Sequence, residues 1–265
     1  MSVLRMENVT VRYDGVPAID ALNFDMAAGE TCVIFGAAGS GKTVFLKTAL
    51  GLIDPDEGRV TVLDKDTSGW RDRDWIDLRA HMGMLFQEGG LFDSLTIEEN
   101  VAYPLVNIKA LARPLDEVHA RVKEVLEFVE LGHTLSKVPS ELSGGMRRRV
   151  GIARVLVINP ALTLYDSPTA GLDPITANTI MALIAKGRDT HNTSNVIVTH
   201  RIQDGDLLSR YRYDAELERL VPATGDTRTR FMVLHEGRIA FEGTQDELDA
   251  SPDPYVNKFA RRWKE

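Results

Sequence analysis

Regular alternation of apolar and polar residues predicts a pair of antiparallel strands near the start of the chain. Apolar side chains occupy every second position in residues 9–13 and again in residues 22–26. Asp14-Gly15 between them is a turn signal, because both residue types tolerate the backbone angles of tight turns. The two stretches therefore predict an antiparallel β ribbon that leads into the next strand.

Continuous apolar runs predict strands of a second kind, buried on both faces. Residues 31–35, 81–86, 161–165 and 195–199 are short runs rich in apolar and β-branched residues. Such runs are typical of parallel strands that helices cover on both sides. Because helical stretches separate the runs, the pattern predicts an α/β fold with a mostly parallel sheet and a site at the carboxyl ends of its strands.

Helices are indicated by periodicity and by capping residues. Residues 44–50 follow the glycine-rich stretch 36–43, and residues 116–131 carry valines at helical spacing before Gly132. We expect Gly132 to end that helix, since glycine favours the left-handed backbone that terminates helices. Thr96 and Glu99 fit the capping pattern in which each side chain bonds the other's backbone at a helix start.

Composition and net charge limit the classes of protein to which the chain can belong. Of 265 residues, 43% are apolar, and 31 basic against 39 acidic residues give a net charge of −8. Net acidity argues against a general nucleic-acid binder, which needs a basic face. Cys32 is the single cysteine, so we expect a buried, reduced thiol. No stretch reaches the ~18 apolar residues of a membrane span, so we expect a chain that does not cross a bilayer by itself.

Candidate chemistry begins at a phosphate-loop pattern between a predicted strand and a predicted helix. The pattern reads Gly36, Ala37, Ala38, Gly39, Ser40, Gly41, Lys42 and Thr43. Its glycines let the backbone curl so that successive N–H groups cradle phosphate oxygens. Lys42 adds a positive charge, and Thr43 offers a hydroxyl to Mg²⁺ at the start of a helix that favours anions. The stretch predicts a binding site for a nucleoside triphosphate.

Polar residues follow several of the predicted strands. Asp166 ends one strand, where its carboxylate can reach the Mg²⁺ of the loop through water. His200 and Gln87 end two others, and Gln87 is either a ligand or an ordinary surface residue. Tyr13 ends the first strand, where its ring either stacks on a base or packs on the sheet.

A second anion-binding helix start is indicated by Ser143, Gly144 and Gly145. These residues offer a hydroxyl and free backbone N–H groups ahead of an apolar stripe at helical spacing. Residues 147–149 are three arginines, a run that more often forms a solvated face than a nucleic-acid patch.

Together these motifs, in this order and over nearly the whole chain, resemble those of an ATP-binding cassette ATPase. The resemblance is carried by the phosphate loop, Gln87, the stretch 142–146, Asp166, the stretch 170–173 and His200. It implies a P-loop NTPase of the RecA-like type, with a β ribbon and an inserted α-helical subdomain. ATP and Mg²⁺ are the implied cofactors.

The resemblance also implies roles for individual residues. Tyr13 would stack on adenine, and Gln87, Thr43 and Asp166 would serve the Mg²⁺. Ser143 to Gly145 would hold the γ-phosphate bound to the opposite protomer of a head-to-tail homodimer. Asp173 belongs to the dimer-spanning loop, and His200 is the switch residue.

A narrower resemblance points to the ATPase subunits of Mla-type, mammalian-cell-entry phospholipid transporters. It rests on residues 91–96 with 99–105, on residues 141–149 and on Pro252-Asp253-Pro254. The implied partners are integral membrane permease subunits, a substrate-binding protein with the entry domain and a small regulatory subunit, with no nucleic acid. The implied location is peripheral, on the cytoplasmic face of the inner membrane.

The resemblance divides one nucleotide-binding domain, residues 1–265, into parts. Residues 1–87 and 159–250 form the RecA-like core with the β ribbon, and residues 88–158 the helical subdomain. Residues 251–265 form a tail whose Tyr255, Phe259 and Trp263 recur every fourth residue. That aromatic stripe either binds a partner or packs on the protein's own core.

Two departures from the family pattern stand out. A longer, charged connection between His200 and Phe231 is interpreted as an added hairpin. Ser167 occupies the position at which the family has a glutamate that polarises the attacking water. A nucleotide-binding subunit with little or no hydrolysis is therefore an alternative to an active ATPase. Glu88, Asp173 and His200 are the candidates to compensate.

Other classes of nucleotide-binding protein fit less well. A cassette protein acting on DNA or ribosomes is disfavoured by the net acidity and by the absence of basic arms. A phosphate-loop kinase leaves the stretch 142–146 unexplained. Exposed-looking Leu91 and Phe92, beside the strand that ends at Gln87, instead predict a docking surface for a permease.

Overall fold

The computed structural model of the protein describes residues 2–87 and 89–260. The strands are β1 (Ser2–Tyr13), β2 (Val16–Ala27), β3 (Thr31–Gly36), β4 (Glu57–Val62), β5 (Lys65–Asp66), β6 (Met82–Leu85), β7 (Leu162–Asp166), β8 (Ser194–Val198), β9 (Tyr211–Asp214), β10 (Arg219–Pro222), β11 (Thr229–His235) and β12 (Arg238–Gly243). The helices are α1 (Lys42–Ala49), α2 (Asp72–Arg79), α3 (Ile97–Asn107), α4 (Leu115–Phe128), α5 (Gly144–Leu156), α6 (Pro174–His191), α7 (Ile202–Arg210), α8 (Gln245–Asp249) and α9 (Asn257–Ala260).

The main sheet of the described residues has six strands in the order β12-β11-β3-β8-β7-β6. Neighbours from β11 to β6 pair in parallel, and β12 pairs antiparallel with β11. All residues of β3 and β8 are buried, as expected for strands with helices on both faces. The predicted mostly parallel sheet is confirmed, and its order brings the carboxyl ends of β3, β8 and β7 side by side.

Alternate residues of β3 face two separate hydrophobic clusters. Val33 and Phe35 pack with residues of α3 to α7, whereas Cys32 and Ile34 pack with the β ribbon and α1. Burial raises the pKa of the Cys32 thiol to about 12, so the thiol stays protonated near neutral pH. The expectation of a buried cysteine is confirmed.

A second, four-stranded sheet is antiparallel and includes the predicted ribbon. β1 pairs with β2 through partners such as Met6 with Phe24 and Val9 with Leu22. The apolar members of these pairs are buried, which explains the alternation in the sequence. β4 and β5 extend this sheet in the order β2-β1-β4-β5.

The predicted end of the helix α4 is wrong by several residues. The helix ends at Phe128, and Glu130, rather than Gly132, adopts the left-handed backbone with φ 63°. The N–H of Leu131 then donates to the carbonyl of Leu126 at 2.7 Å. This bond closes the helix as a Schellman motif, and the buried Leu126 and Leu131 supply the apolar contact that accompanies it. Gly132 begins a 3-10 turn instead.

Only part of the three-arginine run of residues 147–149 forms a solvated face, in which Arg147 is exposed and Arg149 is half-buried. Arg148 is buried and donates to the carbonyls of Ser167 and Pro168 at 3.1 and 2.8 Å. Arg147 donates to the carbonyl of Leu142 at 2.6 Å, within the segment before α5. Because a guanidinium has five donors in a fixed fork, it can join loop carbonyls from separate segments. Spacing alone cannot distinguish such a buried anchor from a surface charge.

The added hairpin predicted between His200 and Phe231 is confirmed as β9 and β10, which pair antiparallel. The first part of that connection is helical, however, and forms α7. Buried Arg188 on α6 donates to the carbonyl of Tyr211 at 2.9 Å, and Asp189 accepts from the N–H of Tyr213 at 2.7 Å. These bonds attach the hairpin to α6.

The aromatic residues of the tail pack on the protein's own core. Phe259 stacks on Phe35 with ring centroids 6.0 Å apart, and Tyr255 stacks on His235 at 3.8 Å. Of the two alternatives for the aromatic stripe, packing on the protein's own core is therefore the one that these two residues show. Trp263, the third member of the stripe, lies outside the described residues.

Residues 2–87 and 89–260 contain no helix with the combined length and apolar character that spanning a membrane requires.

Candidate functional site

The phosphate-loop residues run from the last residue of β3 to the first two residues of α1, at the strand-to-helix junction that the sequence predicts. Gly41 caps α1 with φ 104°, and a Cβ on it would lie 2.5 Å from the carbonyl oxygen of Ala18. A side chain at this position would therefore meet both a strained backbone and a fixed atom. The loop opens onto the N-terminus of α1, where unpaired N–H groups favour an anion.

Lys42 is buried within the loop. Its Nζ donates to the carbonyls of Gly36 and Ala37 at 2.9 and 2.7 Å and to Ser40 Oγ at 3.3 Å. Burial lowers the pKa of Lys42, and the nearby Asp166 carboxylate partly opposes that change. These bonds hold the ammonium group at the loop, where phosphate oxygens would join the carbonyl acceptors.

Asp166 and Ser167 follow β7 at the same edge of the sheet. The Ser167 hydroxyl donates to Asp166 Oδ1 at 3.2 Å. Ser167 has φ 48°, and its N–H donates to the carbonyl of Val198 on β8 at 2.8 Å. The serine is buried and directed at the carboxylate beside it, so its short side chain stays within the site.

Gln87, His200 and Tyr13 complete a cleft of about 390 Å³ above the loop. Burial of the His200 ring and the charge of Lys42 lower the pKa of its imidazole, against the opposing effect of Asp166. Tyr13 is 51% exposed, so its ring is free to stack on a flat group. The predicted residues that line this cleft are Tyr13, Ala38, Gly39, Ser40, Gly41, Lys42, Thr43, Gln87, Asp166, Ser167 and His200.

The oxygen ligands available in the cleft fit a magnesium ion. Thr43 offers a hydroxyl, Gln87 an amide oxygen and Asp166 a carboxylate, and Mg²⁺ prefers oxygen ligands with few carboxylates. No cluster of three or more His, Cys, Asp or Glu side chains suited to a metal occurs among the residues that the structure describes. A metal held by protein carboxylates alone would need such a cluster, whereas Mg²⁺ bound together with phosphates does not.

Other predicted site residues lie away from this cleft. Gly36 and Ala37, at the junction with β3, do not line it, although the carbonyls of both accept from Lys42. Ser143 caps α5 by accepting from the N–H of Met146 at 3.3 Å, and Asp173 caps α6 through two N–H groups at 3.0 Å each. Gly144 and Gly145 open α5. Glu88, a candidate to replace the missing glutamate, lies outside the described residues.

The beginnings of α5 and α6 lie against each other. A Cβ on Gly145 would lie 2.4 Å from the Thr176 side chain, so a residue larger than glycine would force these helix ends apart. The residues predicted to hold phosphate thus fall into two groups. One group surrounds the loop, and the other stands at the exposed starts of α5 and α6.

Asp204 near the start of α7 is a residue that sequence reasoning missed. Its Oδ2 accepts from the hydroxyls of Thr169 and Thr199 at 2.6 Å each. The first follows Ser167 and the second precedes His200, so the carboxylate joins the ends of β7 and β8. Burial raises the pKa of Asp204. An acidic residue at a helix start is so common that the sequence offers no signal for this role.

Comparison with known proteins agrees with these motifs. Residues 19–170 match the ABC transporter family. The chain is 34% identical over 260 residues to the methionine import ATP-binding protein MetN 2 of Rhodococcus jostii, which covers 97% of this chain and 70% of that protein. Several further relatives carry the methionine import name, and the chain spans 64% of the one from Mesorhizobium japonicum.

A second relative has a different named cargo. The chain is 29% identical over 260 residues to the intermembrane phospholipid transport system ATP-binding protein MlaF of Haemophilus influenzae, covering 98% of this chain and 90% of that protein. Among solved structures, the dimeric post-hydrolysis state of the ATP-binding cassette MJ0796 bound to ADP and Pi matches with a TM-score of 0.76. The identity is 30%, and the match covers 91% of this chain and 98% of that chain. The predicted fold class is confirmed.

Proposed function

Because this chain belongs to the ABC transporter family, we propose that it binds and hydrolyses ATP with Mg²⁺ to drive a bacterial membrane transporter. The observation that carries the proposal is the single cleft in which Lys42, Thr43 and Asp166 meet Gln87 and His200. Positive charge, oxygen ligands for a metal and a helix N-terminus converge there, which suits the phosphates of a nucleotide.

Each side chain in the cleft has a proposed role. Lys42 and the loop N–H groups bind the phosphates, and Tyr13 stacks on the base. Bound Mg²⁺ would neutralise charge on the phosphates. Thr43, Gln87 and Asp166 would hold it, and His200 would orient the attacking water. The His200 ring is mostly neutral near pH 7, because its pKa is lowered, and a neutral ring can accept a hydrogen bond from water.

A homodimer completes the site in this proposal. Ser143 to Gly145 and Asp173 lie outside the cleft of their own chain and at exposed helix starts. In a head-to-tail dimer they would meet the nucleotide bound by the partner. Permease subunits would bind the same dimer from the membrane side, so the protein would be peripheral on the cytoplasmic face of the membrane.

We treat the chain as one nucleotide-binding domain with distinct parts. Residues 1–87 and 159–250 form the nucleotide-binding core, and residues 88–158 the helical subdomain. The helical subdomain carries both the proposed docking surface and the start of α5. Residues 251–265 form the tail.

For the cargo, we propose a phospholipid. The docking stretch 91–105 and Pro252-Asp253-Pro254 resemble phospholipid transporter ATPases, and one relative carries that name at 29% identity. Methionine import is the competing cargo, favoured by the larger number of relatives with that name. A substrate-binding protein with the entry domain and a small regulatory subunit would accompany the permease in the first case.

Copurification tests the cargo. The chain would be expressed with its neighbouring genes, purified in detergent, and analysed for bound proteins and for coextracted phospholipid. An entry-domain protein with enriched phospholipid is expected. A periplasmic amino-acid-binding protein, together with ATPase activity stimulated by methionine, would replace the phospholipid proposal without affecting the ATP site.

A second candidate function, nucleotide binding with little or no hydrolysis, is favoured by Ser167. Its hydroxyl donates to Asp166, and an alcohol with a high pKa cannot take a proton from water as a carboxylate does. Steady-state turnover of the isolated wild-type homodimer separates the two functions. Turnover at the detection limit, with intact ATP binding, would favour the second.

A further inference from the structure

The hydroxyl of Tyr255 reaches the back of the phosphate loop from the C-terminal tail. It accepts a hydrogen bond from the N–H of Ala37 at 3.1 Å and donates one to the carbonyl of Leu234 at 3.0 Å. Leu234 lies on β11 beside Gly36. The Tyr255 hydroxyl therefore links the tail to both the main sheet and the loop. Tyr255 and Ala37 are 218 residues apart in the chain.

The bond to Ala37 acts on the same peptide unit that Lys42 contacts. The carbonyl of Gly36 and the N–H of Ala37 belong to one planar trans peptide, in which the two groups point in opposite directions. Gly36 O accepts from Lys42 Nζ at 2.9 Å on one side, while Ala37 N–H meets Tyr255 on the other. Rotation of this plane would break both bonds.

Close packing around Gly36 gives this peptide a defined position. A Cβ on Gly36 would lie 2.6 Å from the Leu234 oxygen and 2.4 Å from Ser40 Oγ. The Leu234 oxygen is the acceptor for the Tyr255 hydroxyl, so the tyrosine bridges two backbones already in close approach.

The tail fixes the position of the tyrosine ring in turn. The ring stacks on His235 and meets the edge of Phe259 at 5.4 Å. The N–H of Tyr255 donates to Asp253 Oδ1 at 2.7 Å, and neighbouring Val256 is fully buried. The hydroxyl reaches Ala37 because the tail is docked.

We infer that Tyr255 is a positioning residue for nucleotide binding, through which the docked tail holds the Gly36–Ala37 peptide in the orientation that presents Lys42 to phosphates. The inference rests on the proposed function at this loop. Because coupling between two binding events is reciprocal, tail docking strengthens nucleotide binding and bound nucleotide stabilises the docked tail.

The test is Tyr255→Phe, which keeps the ring and removes the hydroxyl. Calorimetric titration with Mg-ATP should give a Kd about three- to tenfold weaker than wild type, the usual range for one hydrogen bond, because of the two bonds lost only the one to Ala37 acts on the loop peptide. Tyr211→Phe on the hairpin is the matched control and should leave the Kd unchanged. The melting temperature of Tyr255→Phe should fall by only a few degrees because two hydrogen bonds are lost, whereas Tyr255→Leu, which also removes the stacking, should lower it further.

Hydrogen–deuterium exchange provides a measurement that would not change if Tyr255 only stabilised the fold. In nucleotide-free protein, residues 36–38 should exchange faster in Tyr255→Phe than in wild type. Mg-ATP should slow exchange in residues 252–260 of wild type and much less in the variant.

The outcomes separate the inference from the proposed function. Equal Kd values and equal loop exchange in wild type and Tyr255→Phe would overturn the inference. A wild type that does not bind Mg-ATP would refute the proposed function, and the exchange of residues 36–38 would still decide whether Tyr255 holds the loop.

Discussion

Lys42 shows how one residue depends on its neighbours. Its ammonium group donates to loop carbonyls and to Ser40, and its pKa is lowered by burial. A buried ammonium group loses hydration, and these acceptors only partly replace it. Negative phosphate oxygens would be better partners, which gives a physical reason for nucleotide affinity at this loop.

Lys42→Ala should weaken Mg-ATP binding by about 10- to 100-fold, since hydrogen bonds to charged groups contribute roughly 1.5 to 3 kcal/mol each. Calorimetric titration measures the change. Lys47→Ala on the exposed face of the same helix is the matched control and should bind like wild type. Equal affinity in Lys42→Ala and wild type would exclude the loop as the nucleotide site.

Ser167→Glu should raise kcat by ~10²-fold or more, because it restores a base that can take a proton from water. Ser167→Gln has a similar size without that ability and should not raise kcat. Steady-state phosphate release at saturating Mg-ATP makes the comparison, and Mg-ATP affinity should change little in either variant.

Compensation by another residue would produce a different pattern. If Glu88 or His200 carries the residual activity, Glu88→Gln or His200→Ala should reduce it further. A wild type with rapid turnover that is indifferent to Ser167→Glu and to His200→Ala would contradict the assignment of the chemistry to this cleft.

Hydrogen bonds from α3 hold the proposed docking surface around Phe92 in place. The loop before α3 is fixed by Asn100, whose buried side chain accepts from the N–H of Phe92 at 2.8 Å and donates to the Phe92 carbonyl at 3.0 Å. The Phe92 ring is 41% exposed, beside Tyr103. Backbone anchoring keeps this aromatic surface in place without requiring the ring itself.

Phe92→Asp should prevent assembly with the permease while the protein still folds and binds ATP. A carboxylate in the proposed contact would replace the apolar ring and lose its hydration, at a cost of several kcal/mol that the guanidinium of Arg154, 5.6 Å from the Phe92 ring, would offset only in part. Copurification with the membrane subunits measures the effect. Leu115→Asp, at an exposed position of α4, is the control, and normal assembly of Phe92→Asp would refute docking through this surface.

At the scale of the whole molecule, the candidate phosphate contacts lie in two separate groups. The loop group lines one cleft, whereas Ser143 and Asp173 cap helices outside it. A nucleotide in the cleft would lack the second group until another chain supplies it. This arrangement predicts that ATP joins two copies.

Mg-ATP should therefore shift the protein from monomer to dimer in light-scattering measurements, and EDTA should reverse the shift. Slow hydrolysis at Ser167 should prolong the dimer. Ser143→Arg should bind Mg-ATP yet remain monomeric, because the larger side chain would block the contact, while Ser68→Arg on an exposed loop should dimerise normally. A dimer of Ser143→Arg as stable as that of wild type would contradict this arrangement.

The sequence by itself determined the local features of this protein. The phosphate loop, the buried strands and the capping of α3 follow from backbone freedom, burial and spacing, which act over a few residues. The ribbon was predictable for the same reason, whereas the added hairpin was inferred from a departure from the family pattern. The end of α4 was not, since Glu130 adopts a left-handed backbone that the sequence signals for glycine.

Only the tertiary structure decided which distant groups meet. Strand order brings Asp166 and His200 beside the loop, and burial converts Arg148 from an apparent surface charge into an anchor for the Ser167 segment. Tyr255 belongs to an aromatic stripe in the sequence, yet its hydroxyl bonds the N–H of Ala37. Contacts of this kind depend on how the sheet, the loop and the tail pack together, and no spacing within the chain encodes them.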